Sequence, residues 1–435
     1  AESASTASIA RGTKGARIRL MIRYAPVRIN KSTISFDKLE EQPGDEEPSL
    51  FSFENEYENV CMDKKQISCY LTWTTPETKK AVMDNLGRSP LFSGEIEGTG
   101  PRYCPSIEDK FVKFPTRERH QVFIEPTGAN TLEMYIQGMS SSMPEEVQNL
   151  MLKSVPGLEN SQIMRPAYAI EYECVIPQGL HLSLEHKQIG GLFCAGQING
   201  SSGYEEAAGQ GIIAGINAAM KLKGKSPLIL DRSEAYIGVL IDDLVTKGTG
   251  EPYRMMTSRA EYRLLLRQDN ADERLTRYGY NIGLISKERF KRFSEKMEKI
   301  DAELKRLRNV VVKPSDETNR ILSEAGSTIL KTGSTIWDLL KRPEIKYDML
   351  KSIDKGRPDL PESVKFEVEV KIKYEGYIAL ESERINKFKK LEHKKIPEEI
   401  DYTKIKGLRM EAVQKLQNIR PDFVGQAGRI SGVSP

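Results

Sequence analysis

Between Gly191 and Ala219 the sequence reads GLFCAGQINGSSGYEEAAGQGIIAGINAA, and few folds accommodate such a run. Leu192-Phe193-Cys194-Ala195 is a short apolar stretch of the kind a buried parallel strand uses. Gly196 to Gly203 then forms a polar, glycine-spaced turn too permissive for regular structure. From Tyr204 the pattern predicts a helix, with Ala207, Ala208, Ile212, Ile216 and Ala219 at three-to-four spacing. Gly209, Gly211 and Gly215 fall within it. Each costs roughly 1 kcal/mol against alanine, which close backbone approach to a strand or a cofactor would offset. Strand, glycine loop and small-residue helix make a cradle for a phosphate or for the edge of a flavin. They equally make a close-packed βα unit with no ligand.

The 435 residues suit two or three domains, and 38% hydrophobic with 29% charged residues is a globular balance. No apolar run approaches the ~18 residues of a membrane span. The net charge of +3 does not by itself call for nucleic acid, although basic residues crowd toward the C-terminal end. Cys61, Cys69, Cys104, Cys174 and Cys194 are scattered without CxxC spacing, which points to neither a disulfide framework nor a metal site. Four histidines leave few candidates for imidazole catalysis. Starting at Ala-Glu-Ser and stopping at Pro435, the sequence is expected to be a piece of a longer protein.

Residues 1 to 28 have no clear period and are expected to carry no regular structure. From 29 to 160 short β-like runs alternate with turns, an α+β pattern. Residues 67–73 and 121–126 read as strands, and Pro144 to Ser154 as a helix with Val147, Leu150 and Met151 on one face. Within this region Gly98-Thr99-Gly100-Pro101-Arg102-Tyr103-Cys104-Pro105-Ser106 forms an irregular loop with a cysteine beside Arg102 and near Lys110. Cationic neighbours favour the nucleophilic thiolate, although a loop cysteine is also often structural. The other four cysteines lie in or next to apolar runs and read as packing residues.

Beyond residue 222 helical periodicity dominates, most clearly in Phe290, Phe293, Met297, Ile300, Leu304 and Leu307. Ser258 with Glu261, and Asn270 with Glu273, read as capping boxes. Arg259, Arg263 and Arg267, four apart, then share one helix face, fit either for phosphates or for acidic groups of the protein itself. Residues 364–374 alternate as a strand would, yet Val364, Val368 and Ile372 also give a helical series. The last part carries Lys389, Lys390, Lys394, Lys395, Lys404, Lys406 and Arg409, a solvated face or an RNA-contacting one.

Three motifs go beyond periodicity: GTGPRYCPSIEDK from Gly98, GLFCAGQINGSSGYEEAAGQG from Gly191 and EPYRMMTSRAEYRLLLRQDNADERLT from Glu251. With Lys373-Tyr374-Glu375-Gly376-Tyr377-Ile378 and the closing Arg429-Ile430-Ser431-Gly432-Val433, the sequence from about Arg28 to Pro435 closely resembles the GidA/MnmG family. This is the large flavoprotein subunit of the enzyme that modifies tRNA wobble uridine. The resemblance implies a partial glutathione-reductase-like FAD domain (α/β) with an inserted α+β domain, followed by an all-helical C-terminal domain. On that scheme residues 29–160 are the insertion, 161–222 close the FAD domain and 223–435 are the helical part. The all-helical character tips residues 364–374 toward helix.

The resemblance also implies FAD, NADH and methylenetetrahydrofolate as cofactors, a GTPase partner subunit, tRNA as substrate and a homodimer. Gln197 matches an FAD-contacting glutamine, and Gly196, Asn199, Gly200, Gly203, Tyr204 and Glu205 lie in the same motif. Gly100, Pro101, Arg102, Tyr103 and Ser106 match a nicotinamide-cofactor stretch, and Cys104 matches a functionally important cysteine. Arg259, Arg263, Arg267, Lys373, Lys394 and Lys395 are the candidates for tRNA or partner contact. Departures are plain as well: a GxGxxG strand–helix unit and a second functional cysteine are absent, and Ile22 to Val27 replaces a Lys-Thr-Gly-Thr-Pro-Pro-like segment. The chain by itself is therefore expected to hold FAD poorly and to be inactive alone. Divergent spellings such as Ser140-Ser141-Ser142 point to a mitochondrial member, with the bacterial cytoplasm as the alternative. Two other readings are a folate-dependent tRNA uridine methyltransferase and a non-catalytic tRNA- or GTPase-binding module.

Overall fold

A thirteen-residue strand, β1 (Ile18–Asn30), is the spine of the first half of the computed structural model. The structure describes residues 18–433 except 47, 49, 50, 57–65, 104 and 393, with backbone alone at 18 and 387–392. Residues 1–17, Cys61, Cys104 and the side chains of Lys389 and Lys390 thus lie outside the described residues. The expectation that residues 1–28 carry no structure is corrected for 18–28, which form most of β1. Met21, Ile22 and Tyr24 are all buried. With both faces covered the stretch lacks a period-two signal, and its partner strand lies some 150 residues away in sequence.

The chain forms two compact units, Ala1–Pro227 with Asp243–Arg254, and Leu228–Asp242 with Met255–Pro435. In the first, β2 (Glu40–Gln42), β3 (Cys69–Trp73), β4 (Gln121–Pro126), β5 (Glu133–Ser140), β1 and β6 (Ile163–Arg165) lie side by side in that order. β7 (Tyr168–Val175) pairs with β1 alone, from Ile18↔Val175 to Ala25↔Tyr168. The change of neighbour along β1 comes at a register shift between Pro26 and Arg28. Proline cannot donate to a ladder and belongs at such a break.

Helices α1 (Pro76–Met83), α2 (Pro90–Ser93), α3 (Ile107–Lys113) and α4 (Glu145–Lys153) accompany this sheet. Val147 and Met151 of α4 join Val27, Ile29, Val122, Ile124 and Ile136 in one core. Leu150, expected beside them, is exposed. The strands expected at 67–73 and 121–126 correspond to β3 and β4.

Leu192 to Ala195 is not a strand. Only a single antiparallel bridge, Glu185↔Phe193, forms there, and Leu192 is exposed. A strand needs neighbours for its N–H and C=O groups, and here the bonds go to nearby turns and a side chain: His186 N to Leu192 O, Leu192 N to Ile189 O, Cys194 N to Leu184 O and Asn199 Nδ2 to Cys194 O. Helix α5 (Tyr204–Leu222) follows as expected, but with a different buried face. Glu206, Gly209, Gln210, Ile213, Ala214 and Asn217 are inside, whereas Ala208, Ile212 and Ala219 face out.

The second unit is helical: α6 (Tyr236–Asp242), α7 (Ala271–Asn281), α8 (Lys287–Asn309), α9 (Asp316–Glu324), α10 (Ile336–Leu340), α11 (Glu362–Lys373), α12 (Glu375–Glu392), α13 (Met410–Ile419) and α14 (Val424–Arg429). One two-residue ladder, β8 (Val311–Val312) with β9 (Ser334–Thr335), qualifies the all-helical expectation. The disputed stretch 364–374 is helical through Lys373: Val364, Val368 and Ile372 enter the core with Ile300 and Leu307, and Phe366 is left outside. A second small core gathers Tyr402, Leu416 and Ile430.

Candidate functional site

Two sequence motifs converge on successive residues of β1. A strand points alternate side chains to opposite faces, and β1 uses both. A Cβ on Gly200 would lie 3.1 Å from Met21 Cε and 3.1 Å from Thr249 Cγ2. Two residues on, Arg23 donates to the Tyr204 hydroxyl at 3.0 Å and sits 5.4 Å over its ring. Met21 and Arg23 thus hold the Gly196–Tyr204 loop.

Ile22 and Tyr24 hold the other motif. Ile22 lies 3.1 Å from a Cβ on Gly98, and the Tyr24 hydroxyl 3.3 Å from one on Gly100. Backbone bonds Ile22 N to Thr99 O and Thr99 N to Leu20 O add a one-bridge parallel edge. Burial, reinforced by Glu108 and Asp109, pushes the Tyr24 phenol far above its ordinary range, so it stays protonated near Ser106.

The glycine loop is tied to the start of α5 by side-chain hydrogen bonds rather than being a plain turn. Residues Gly196–Asn199 make one 3-10 turn closed by Gly200 at φ +74, and Gly196 itself has φ +79; only glycine adopts such angles without strain. Gln210, in the second turn of α5, accepts from Gly196 N and Asn199 Nδ2, both at 3.0 Å. Asn199 Oδ1, Ser201 Oγ and Gln210 Nε2 are buried and make no hydrogen bond among the described residues. Unsatisfied buried polar atoms cost about 1–3 kcal/mol each, so two in the loop and a third facing it from α5 mark a place where a ligand's polar groups would fit. Gly203 starts α5 with no side-chain cap bond, at the end of the helix where an anion or a ligand's polar group is favoured. Gln197, Tyr204 and Glu205 are exposed on the outer side.

Sequence reasoning missed the contribution of Glu251 to Arg254. Tyr253 is buried, donates N–H to Gly200 O at 2.7 Å and its hydroxyl to Asp243 Oδ2 at 2.9 Å. Arg254 Nε stands 3.5 Å from Glu206 Oε1, at the first turn of α5 and next to Gly203. The signal was present in the Glu-Pro-Tyr-Arg motif, but nothing local says which glycine loop a distant motif will meet.

Around the cysteine loop, Pro101 and Ser106 are buried and Arg102 and Tyr103 exposed. Ser106 Oγ caps α3 by accepting Asp109 N. Glu108, fully buried, accepts from Ser141 Oγ (3.0 Å), Ser142 N (2.9 Å) and Ser142 Oγ (2.9 Å), which ties α3 to the end of β5. Cys174 and Cys194 are buried and Cys69 half-buried, and burial pushes all three thiols up, in keeping with packing roles.

The arginine stripe is corrected. Residues 257–259 make a 3-10 turn and 260–270 are irregular, so no helix face collects Arg259, Arg263 and Arg267. The capping boxes fail for the same reason: Glu261 pairs with Arg232 at 2.7 Å, and Asn270 starts α7 without a side-chain cap. Arg267 turns inward to Asp269 (2.9 Å) and Glu367 (3.6 Å). Lys373 likewise bonds Glu369 at 2.9 Å and the Pro343 carbonyl. Arg263, Lys394 and Lys395 remain exposed.

Glu367 is buried against Asp269, and burial followed by that second carboxyl pushes it up to about 8. Asp269 is also raised by burial, but the Glu367 proton and Arg267 hold it below its ordinary value. The folded state therefore keeps a proton on Glu367 that the unfolded chain has lost, and stability falls as pH rises from about 4.5 to about 8. Glu367→Gln, which retains the donor without the charge, is expected to flatten that decline. Its gain at pH 8.5 should be on the order of a few kcal/mol; parallel denaturation curves for the two proteins across this window would contradict it.

Comparison with known proteins agrees with this architecture. The family profile "Glucose inhibited division protein A" matches residues 3–226. The "tRNA modifying enzyme MnmG/GidA" C-terminal helical domain matches 287–382, and its C-terminal helical bundle 384–435. The tRNA uridine 5-carboxymethylaminomethyl modification enzyme MnmG of Caldicellulosiruptor saccharolyticus is 62% identical over 418 residues, 95% of this chain and 66% of that protein. Its namesake from Clostridium botulinum is 57% identical over 97% of this chain and 67% of its own length. Crystalline Aquifex aeolicus GidA (form II) superposes with a TM-score of 0.84 at 44% identity, covering 97% of this chain and 66% of that one. The chain thus spans about two thirds of the length of the relatives it matches, and residues 3–28, expected to be unmatched, fall within the first profile. On family profiles covering most of its length and relatives above half identity, this chain belongs to the MnmG/GidA family of tRNA-modifying enzymes.

Proposed function

We propose that the chain serves FAD-dependent modification of the tRNA wobble uridine at carbon 5, of the aminomethyl, carboxymethylaminomethyl or taurinomethyl type. The observation that carries this is the Gly196–Gly203 loop, with two unsatisfied buried polar atoms of its own, a third on Gln210 of α5 facing it, and a helix start without a side-chain cap. Gly196, Gln197, Asn199, Gly200, Gly203, Tyr204 and Glu205 would hold the flavin edge, with Arg254 beside them. When bound, the flavin supplies the redox chemistry that tRNA alkylation at carbon 5 requires. The residues of the chain would orient it: Tyr253 and Met21 back the loop, and Arg23 steadies Tyr204. The nearby Gly100–Ser106 segment, held to the same strand, is the proposed nicotinamide contact, with NADH and methylenetetrahydrofolate as co-substrates. Cys104 is the proposed catalytic thiol.

The helical unit is proposed to meet tRNA and a GTPase partner subunit, and the protein to act as a homodimer. Arg263, Lys394 and Lys395 suit that role, because their cations are exposed, whereas Arg267 and Lys373 are engaged internally. The relatives reported above are bacterial, which favours the bacterial cytoplasm over a mitochondrial placement. The test is complementation of a bacterial strain lacking its own enzyme with the full-length gene. Mass spectrometry of wobble nucleosides should show the modification restored; unmodified uridine despite soluble protein would reject the reading.

A further inference from the structure

Within the helical unit, α7, α8 and α11 line a cavity of about 510 Å³, within the usual range for small-ligand sites. Arg277, Tyr278 and Asn281 come from one face of α7, and Phe293, Met297 and Asp301 from one face of α8. Both sets step by three or four, the spacing that stacks side chains along one side of a helix. The floor is apolar, with Ile300 fully buried beneath the half-buried Phe293 and Met297.

The polar groups of the wall are mostly fixed by the protein. The Tyr278 hydroxyl donates to Glu234 Oε1 at 2.7 Å, which sets the plane of its ring. Arg274 donates to Asn270 Oδ1 at 3.0 Å and to the Arg267 carbonyl at 2.8 Å. Lys371 is neutralised by Glu273 at 2.8 Å. Arg277 is different: exposed on the rim, it makes no hydrogen bond or ion pair among the described residues. The cavity therefore combines a pre-set aromatic wall, an amide and a carboxylate at Asn281 and Asp301, and one spare guanidinium.

A flat ring fits the first, a hydrogen-bonding edge the second and a phosphate the third. An apolar anchor from a protein partner would use the floor but leave the amide, carboxylate and guanidinium without purpose. We propose that this cavity binds a nucleoside monophosphate unit, either a free nucleotide or an unstacked nucleotide of an RNA strand. In its RNA form the inference rests on the tRNA reading above.

The experiment uses the whole chain with two variants at exposed positions, Arg277→Ala and Asn281→Trp. The second fills the cavity without changing charge, which separates the pocket from general attraction of RNA to basic surface. AMP and GMP binding is followed by saturation-transfer NMR, and binding of a fluorescein-labelled single-stranded 12-mer RNA by anisotropy, with melting curves as the folding control. Both variants should weaken at least one ligand about tenfold or more at unchanged melting temperature. RNA bound equally by all three proteins, with no nucleotide signal, overturns the pocket and leaves the tRNA reading standing. Variant-sensitive nucleotide binding with no RNA binding supports the pocket and counts against the tRNA reading. Nucleotide and RNA binding both unaffected by either variant likewise overturns the proposal.

Discussion

Replacing Cys104 by serine in the full-length protein is expected to lower wobble-uridine modification by about 10³-fold or more, with flavin content and melting temperature unchanged. A thiolate is a far better nucleophile than a neutral hydroxyl, and a cation two residues away in sequence, Arg102, would favour the charged form. The flanking segment is held firmly enough to make position matter. Tyr24 packs on Gly100, Ser106 caps α3, and buried Glu108 is held by Ser141 and Ser142. The thiolate would either add to the uracil ring, raising the nucleophilicity of carbon 5, or handle the one-carbon unit. Arg102→Ala provides the graded companion: the pH at which modification reaches half its maximum should move upward, because the thiol loses a cation that favours its ionisation. Cys104→Ser protein retaining a tenth of wild-type activity in a purified assay would remove the thiol from the chemistry.

How much of this was legible in the sequence depends on whether a signal was local. Helix α8 announced itself, because Phe290 to Leu307 keeps one period over the whole element. The stretch 364–374 carried two periods at once, and burial chose between them: Val364, Val368 and Ile372 share a core that a strand would have split across two faces. Where the sequence misled, a long-range partner decided. β1 hides because Met21, Ile22 and Tyr24 are covered on both sides by loops and strands far along the chain. Helix α5 buries Glu206, Gln210 and Asn217 and exposes Ile212, against any hydrophobicity rule. That inversion marks the candidate site, since a polar inner face is maintained only where polar groups meet it. The arginine stripe failed in the opposite way: four-residue spacing has meaning only on a helix, and 260–270 is not one.

The closing Arg-Ile-Ser-Gly-Val motif has a physical role that spacing did not reveal, and it carries the largest stability effect expected here. Arg429 makes a two-pronged contact with Asp242, Nη2 to Oδ1 at 2.8 Å and Nε to Oδ2 at 2.9 Å. Arg232 donates to the same carboxylate at 3.0 Å and also to Glu261. Asp242, buried at the end of α6, thus ties α14 to the Arg232 segment that Glu261 also meets. Asp242→Ala would leave two mostly buried guanidiniums without their shared anion. Removing one partner of a buried pair costs about 3–5 kcal/mol; Arg232 would keep Glu261, and the loss falls mainly on the two-pronged contact of Arg429. For a unit of this size that is roughly a 10 °C fall in melting temperature, followed by circular dichroism at the helix band. Asp242→Asn, which keeps the shape and one acceptor, should fall between. Arg429→Met should cost less than Asp242→Ala, since it strands no second cation and leaves Asp242 paired with Arg232. A shift of less than about 2 °C for Asp242→Ala would mean that the motif is held by the Tyr402, Leu416 and Ile430 core alone.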